Sequence, residues 1–317
     1  MRIPILYIMC GLPASGKTTK AKEIVAEEGA EYVSSDEIRK ELYGDESCQS
    51  DNQKVFEHYY KRMNQYLSEG KDVVIDSTNV TLKSRKRIIA ECKINCVKLL
   101  YMIATPIEYC YENDSKRERH VGKEVIDKFW KSFQFPQEFE GFDGVNIVNL
   151  YSNKSKISIE KTIKDMKSFD QKNPHHKFTL GEHCLITKKL LEKSLKYLDI
   201  QYIKDSCYYA ALIHDVGKMF SQSFGEDGVA HYYNHANIGS YYIVSHFDSF
   251  FKYEDRKNIH SLLVIFLVNY HMLAHEIHTE KAINKYKNLF GEELFDLLMR
   301  FQKCDSLASG TVGEIDL

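Results

Sequence analysis

Residues 11–18 read Gly11-Leu-Pro-Ala-Ser-Gly16-Lys17-Thr18, a match to G-x-x-x-x-G-K-[ST] at every fixed position. The motif works in one setting only. A buried strand must run into it and a helix must leave it, so that backbone N–H groups and the helix N-terminus converge on a phosphate. Both are present: residues 3–10 form an apolar strand candidate, and a helical pattern continues from the motif to about residue 28. A nucleoside-triphosphate site is predicted, lined by Gly11, Ser15, Gly16, Lys17, Thr18 and Thr19. Lys17 would neutralise β/γ charge and Thr18 would ligand Mg²⁺.

The pattern after the loop keeps alternating. Strands are predicted at 32–34, 72–76, 96–104 and 144–150, and helices at 52–67, 82–93 and around 106–117 and 122–133. This order gives a three-layer α/β domain with a mostly parallel sheet. The second strand ends in Ser34-Ser35-Asp36-Glu37-Ile38-Arg39, and such a strand end opens on the crevice beside the phosphate. A carboxylate there can take the proton of an attacking hydroxyl, the role open to Asp36. Arg39, three residues on, can hold an acceptor phosphate bidentately. Asp76 ends the DVVID strand, where it either makes a water-mediated Mg²⁺ contact or caps the Ser77-Thr78-Asn79 turn.

A different chemistry occupies the second half. Eleven of the 13 histidines lie beyond residue 150, and seven of the nine arginines lie before it. At 317 residues the chain should hold two domains or one large one. The junction is placed at a Lys-rich linker, 153–173, which is either a solvated helix face or a phosphate-contacting track. From 174 to 317 only helical periodicities are clear, around 179–197, 205–216, 235–247, 256–275, 279–289 and 291–309, so this part is expected to be all-α. The longest apolar run, 262–268, is far short of the ~20 residues of a membrane helix. No cleavage site follows the first strand, so no membrane association and a cytoplasmic location are expected. Eight cysteines without a repeated pair spacing are expected as reduced thiols. A net charge of −2 argues against a strongly basic nucleic-acid coat, although not against a local basic groove.

Within the histidine-rich half, Ala211-Leu-Ile-His214-Asp215-Val-Gly-Lys218 has an apolar lead-in to adjacent His and Asp. The ordered set His183, His214, Asp215, His235, His271 and Asp305 is too widely spaced for one helix, and would have to converge from five. Mixed imidazole and carboxylate donors suit Mn, Fe, Co, Ni or Zn. His231, His275 and His278 stand close enough to His235 and His271 to be their alternatives.

Two family resemblances rest on these residues. The phosphate loop, Ser34 to Arg39, Asp76 to Asn79, the stretch 113–121, and Phe135-Pro136 with Glu140-Gly141-Phe142-Asp143 resemble the polynucleotide 5′-kinase family of P-loop phosphotransferases, over about 1–150. That resemblance implies Asp36 as general base for a 5′-hydroxyl and Arg39 on the phosphate next to the attacked nucleotide. It also implies Asn79 at the substrate, and Arg117 and Arg119 as lid arginines on the NTP. His120 stands where a further basic lid residue would be sought, and Lys116 to Arg119 would otherwise be an exposed amphipathic helix. The histidine set resembles the all-α, metal-dependent HD phosphohydrolase superfamily. By that resemblance His183, His214, Asp215 and Asp305 hold one metal, and Asp215 bridges to a second held by His235 and His271. Lys218 would stabilise charge on a phosphate oxygen and His176 would touch the substrate.

The expected architecture is an α/β P-loop kinase domain at 1–152, the linker, and an HD-type domain at 174–317. The expected function is healing of nucleic-acid ends: phosphorylation of a 5′-hydroxyl and hydrolysis of a 3′-phosphate or 2′,3′-cyclic phosphate. Its cofactors would be ATP or another NTP, Mg²⁺, and one or two transition metals (Mn²⁺, Co²⁺, Ni²⁺, Fe²⁺ or Zn²⁺). Its partners would be RNA or DNA ends and a ligase acting on the healed ends. The rival readings are a nucleoside or nucleotide kinase fused to a nucleotide phosphohydrolase, and a kinase with a non-catalytic HD binding module.

Overall fold

A computed structural model describes residues 2–151, 157–173, 178–252 and 259–310. The chain divides into two compact units, Met1–Phe129 with Pro136–Leu150, and Trp130–Phe135 with Tyr151–Leu317. The grouping of Trp130–Phe135 with the second unit departs from the expected boundary, and no linker signal marks it.

The first unit runs β1 (Ile5–Cys10), α1 (Lys17–Glu28), β2 (Glu31–Ser34), α2 (Ser35–Tyr43), α3 (Asn52–Ser68), β3 (Val73–Asp76), α4 (Leu82–Glu91), β4 (Val97–Ile103), α5 (Ile107–Ser115), α6 (Lys123–Lys131, whose last residues group with the second unit) and β5 (Gly144–Val148). The five strands form one sheet in the order β2-β3-β1-β4-β5, and every pairing is parallel. Continuous apolar runs account for this. Leu6, Ile8, Met9, Cys10, Val73, Val74 and Ile75 are fully buried, as strands covered on both faces must be. One face carries Tyr7, Met9, Val74 and Ile103 against Ala21 and Ile24 of α1. The chain builds the sheet first to one side of β1 and then to the other, so its topological switch lies at the carboxyl end of β1, where the loop 11–18 begins. A buried pair locks α4 to the turn Glu138–Glu140: Arg85 Nε and Nη2 donate to the two Glu140 carboxylate oxygens at 2.7 and 2.8 Å. α2 is a helix that the sequence reading left unassigned. The Ser34 hydroxyl starts it by accepting from the Asp36 N–H at 3.2 Å.

The second unit continues with α7 (Ile159–Ser168), α8 (Leu180–Ser194), α9 (Gln201–Ile213), α10 (Lys218–Ser221), β6 (Ser223–Phe224), β7 (Ala230–His231), α11 (His235–Ser245), α12 (Phe247–Phe250), α13 (Ser261–Tyr270), α14 (Glu280–Phe290) and α15 (Glu292–Ala308). Among the described residues it is helical, as expected, apart from one short hairpin of the two-residue strands β6 and β7. The apolar run at 262–268 lies on α13, whose residues from Val264 to Tyr270 are all buried. A helix apolar on every side belongs at the centre of a bundle, and α13 packs on α9 and α11 while α8 packs on α9 and α15. The Lys-rich stretch expected as a helix face or a phosphate track holds the helix α7, which buries Thr162 and Met166. Gly181 explains its close docking: a Cβ there would come within 2.8 Å of the Lys167 backbone. Among the described residues, no helix is long and apolar enough to cross a membrane.

Candidate active sites

The phosphate loop begins at Gly11, whose N–H donates to the Thr78 carbonyl at 3.0 Å. Three positive φ angles bend it, 154° at Gly11, 59° at Ala14 and 95° at Gly16. Gly11 is also sterically required, because a Cβ would meet the Ile103 carbonyl at 2.8 Å. Two side chains outside the motif brace its carbonyls: Thr105 Oγ1 donates to the Ser15 carbonyl at 2.7 Å and Asn113 Nδ2 to that of Ala14 at 3.0 Å. Lys17 Nζ donates to the Leu12 carbonyl at 2.6 Å. Burial pushes the Lys17 ammonium below its usual range, against the pull of Asp76. A buried cation so placed gains from a nearby anion. The Ser15 hydroxyl is buried without a hydrogen-bond partner among the described residues, a second polar group a phosphate would satisfy. Thr19 is exposed on the first turn of α1.

Asp76 stands opposite Thr18. Its Oδ2 accepts from Thr18 Oγ1 at 2.7 Å and from the Tyr32 hydroxyl at 2.8 Å. A hydroxyl and a carboxylate in contact beside a phosphate loop form an oxygen donor set suited to Mg²⁺. The pairing Ser34↔Asp76 between β2 and β3 puts the start of α2 next to this carboxylate. There Asp36 is half-exposed, and Arg39 Nη1 donates to its Oδ1 at 2.6 Å while Nη2 donates to Asn52 Oδ1 at 3.1 Å. Arg119, expected on the NTP phosphates, lies 3.7 Å from Asp36 and 3.0 Å from Glu46. Arg117 is exposed on bends that follow α5, so the alternative of an amphipathic helix through residue 119 is not realised. Asp114 shapes that segment, accepting from the Val121 and Gly122 N–H groups, while the His120 ring bonds the Asp114 carbonyl.

Asn79 is a correction. It is buried, with its amide donating to the Met9 carbonyl at 2.8 Å and its oxygen accepting from Ser77 at 2.8 Å. Its carbonyl accepts from Arg85 Nη1 at 3.1 Å. At φ 46° it ties the turn after β3 to β1, so its role is to fix the loop's starting point and not to meet a substrate.

In the second unit six side chains meet. His183 comes from α8, His214 and Asp215 from the end of α9, His235 from the first turn of α11, His271 from the end of α13 and Asp305 from α15. Asp215 Oδ2 lies 3.4 Å from the Nε2 atoms of both His183 and His214. Its Oδ1 lies 3.1 Å from His235 Nε2 and 3.4 Å from His271 Nε2. Asp305 Oδ1 completes the first group, 2.8 Å from His183 and 3.0 Å from His214. His231 and the exposed His275 and His278 stay outside the convergence.

The backbone fixes which nitrogen each ring presents. Nδ1 of His214, His235 and His271 bonds the carbonyl three residues earlier, of Ala211, Tyr232 and Val268, at 2.8–2.9 Å. A carbonyl only accepts, so Nδ1 carries a proton and Nε2 is the nitrogen that each ring turns inward. His235 and His271 then face each other Nε2 to Nε2 at 3.0 Å. Two lone pairs that close repel unless a cation or proton lies between them, so the donor set fits a metal. Burial alone would raise the Asp215 carboxyl, but Lys218 and His214 hold it well below the usual range. Burial alone would lower His214, but Asp215 and Asp305 hold it well above. Lys218 Nζ sits 2.7 Å from Asp215 Oδ2 and donates to Gln171 Oε1 at 3.3 Å. His176 lies outside the described residues.

Sequence reasoning missed Gly217. A Cβ on it would fall 2.0 Å from the His235 carbonyl and 2.6 Å from the Gly239 N–H. This contact of bare backbone lets α11 approach the turn after α9, which sets the 3.1 Å distance from Asp215 to His235. The signal available was a pair of glycines, one inside the His-Asp turn and one inside a helix.

Comparison with known proteins bears on the first unit. A family model described as an AAA domain matches residues 6–136. With the all-parallel sheet and the loop after β1, this decides the fold of the first unit. It is a P-loop kinase fold. Two curated relatives match, the "Putative bifunctional polynucleotide phosphatase/kinase" of Acanthamoeba polyphaga mimivirus and the "Bifunctional polynucleotide phosphatase/kinase" of Schizosaccharomyces pombe. The first is 25% identical over 52% of this chain and 38% of the relative, the second 28% identical over 45% and 33%. The matched part of the chain thus spans only 38% and 33% of the two relatives' lengths. Among solved structures, the Pnkp1/Rnl/Hen1 RNA repair complex aligns at 22% identity and TM-score 0.38, over 41% of this chain and 43% of that one. A protein described as a "putative kinase" from Chloroflexus aurantiacus aligns at 13% identity and TM-score 0.39, over 52% of this chain and 94% of that one.

Proposed function

We propose that the protein heals nucleic-acid ends at two sites, one phosphorylating a 5′-hydroxyl and the other hydrolysing a 3′-phosphate or 2′,3′-cyclic phosphate. One observation carries the reading. Asp215 turns one oxygen to His183 and His214 and the other to His235 and His271, a bridging arrangement that a fold has little reason to build except around cations. The names of the two relatives support pairing this chemistry with a polynucleotide kinase.

In the first unit, Lys17 and the Ser15 hydroxyl bind NTP phosphate oxygens, Thr18 and Asp76 would hold Mg²⁺, and Arg117 is the lid guanidinium for the NTP. Asp36 takes the proton from the 5′-hydroxyl as its oxygen attacks the γ-phosphorus, and the bond from that phosphorus to the β–γ bridging oxygen breaks to release the nucleoside diphosphate. Arg39 holds the acceptor's own phosphate, and its contact with Asn52 keeps the guanidinium turned toward it. Arg119, lying between Asp36 and Glu46, lines the acceptor side of the crevice. In the second unit, His183, His214, Asp215, His235, His271 and Asp305 would hold one or two transition metals, which supply a Lewis acid and a hydroxide nucleophile at neutral pH. The Nδ1 bonds hold the rings so that their Nε2 atoms stay directed inward. Lys218 binds a non-bridging oxygen of the scissile phosphate.

The test uses one RNA oligonucleotide bearing a 5′-hydroxyl and a 2′,3′-cyclic phosphate. It is incubated with ATP and Mg²⁺, then with Mn²⁺, Co²⁺ or Ni²⁺, and the mass of each end is read. Gain of a 5′-phosphate with conversion of the 3′ end is expected. No change at either end, with a free nucleoside or nucleotide consumed in parallel, would move the function to small-molecule metabolism.

A further inference from the structure

A cavity of about 260 Å³ lies in the second unit against His235. Its wall includes the turn Tyr232-Tyr233-Asn234, and Glu276 and Tyr286 stand across it. The volume is just below the ~300–1,000 Å³ of pockets that enclose drug-sized ligands, so it suits one small planar group and not a dinucleotide. The floor is already set: Asn269 Nδ2 donates to Asn237 at 3.2 Å and to Ser240 at 2.9 Å, while its oxygen accepts from the Phe135 N–H at 2.9 Å.

The turn that feeds the metal centre is rigid. Asn234 adopts φ 60°, a conformation unusual outside glycine, and His235 Nδ1 is tied back to the Tyr232 carbonyl at 2.8 Å. Tyr233 is 68% exposed, yet its ring is not loose. It stacks on His231 with centroids 5.5 Å apart and planes 12° from parallel. A tyrosine held in one orientation, largely open to solvent and two residues from a ligand of the metal centre, is a stacking platform for an unpaired base. Asn234, Glu276 and the Tyr286 hydroxyl supply groups able to pair with a base edge.

We infer that this cavity binds the nucleobase of the terminal nucleotide whose phosphate lies at the metal centre, with Tyr233 stacking on the base. The inference rests on the phosphohydrolase reading for what lies beside the base, but base binding can be measured without turnover. The experiment titrates the protein, as isolated and saturated with ADP and Mg²⁺, with adenosine 3′-phosphate and with 1-O-methylribose 3-phosphate, which lacks the base. Wild type is expected to bind the base-bearing ligand about tenfold more tightly, the scale of one base–aromatic stack. Tyr233→Ala removes most of that preference and Tyr233→Phe keeps it, both with unchanged transition-metal content. Equal affinity for the two ligands in wild type, or a preference that survives Tyr233→Ala, overturns the base site. A Tyr233-dependent preference in a protein that hydrolyses neither 3′-phosphates nor 2′,3′-cyclic phosphates leaves the base site standing and overturns the phosphohydrolase reading.

Discussion

In the first unit the phosphate site is made from eight consecutive residues, 11–18, whose backbone does most of the work. In the second, the donors come from five helices, and the two that lie 2.8 Å apart at His183 and Asp305 are separated by 122 positions in sequence. The first kind of site is carried by a local conformation and tolerates change in remote packing. The second exists only while the bundle keeps its helices in register, so its weak points are packing contacts far from any ligand in sequence.

Substitutions can break this contrast. Asp36→Ala is expected to lower 5′-phosphorylation by about 10²–10⁴, the usual contribution of a positioned general base, with nucleotide affinity retained. Phosphorylation rates and a nucleotide-binding titration measure it. Gly217→Ala is expected to cost the second unit about 3 kcal/mol or more, because its Cβ would overlap the His235 carbonyl, and no side-chain motion relieves a backbone clash. Denaturant unfolding and elemental analysis would show reduced stability and lost metal, with kinase activity unchanged. Gly29→Ala, at φ 67° with nothing within 4 Å of its Cβ, should affect neither activity. Glu140→Gln leaves Arg85 buried with its charge unmatched and is expected to destabilise the first unit by about 3–5 kcal/mol. Tyr32→Phe removes one of the two hydroxyls on Asp76 and should weaken the Mg²⁺ requirement curve by about tenfold or less.

The same contrast decides what was legible in the sequence. The loop and the alternation of strands and helices around it could be read because a glycine-rich turn and an alternation of periods are local signals. The histidine set could be read only as an ordered list, because which of His231, His235, His271, His275 and His278 lie beside Asp215 depends on how the helices pack. Asn79 was misread because a turn residue next to a phosphate loop looks the same whether it faces substrate or braces β1. A helix face was one reading of the lysine-rich stretch that holds α7, but its packing contact at Gly181 lies on the neighbouring helix and left no local signal. The backbone contact at Gly217 left only a glycine, which says that space is needed but not for what.

The central claim is that two independent centres share one chain, and one oligonucleotide with a 5′-hydroxyl and a 2′,3′-cyclic phosphate tests it most directly. Lys17→Ala should abolish the 5′-phosphate and leave conversion of the 3′ end intact, and Asp215→Ala should do the reverse. Loss of both activities from either single substitution would contradict the account.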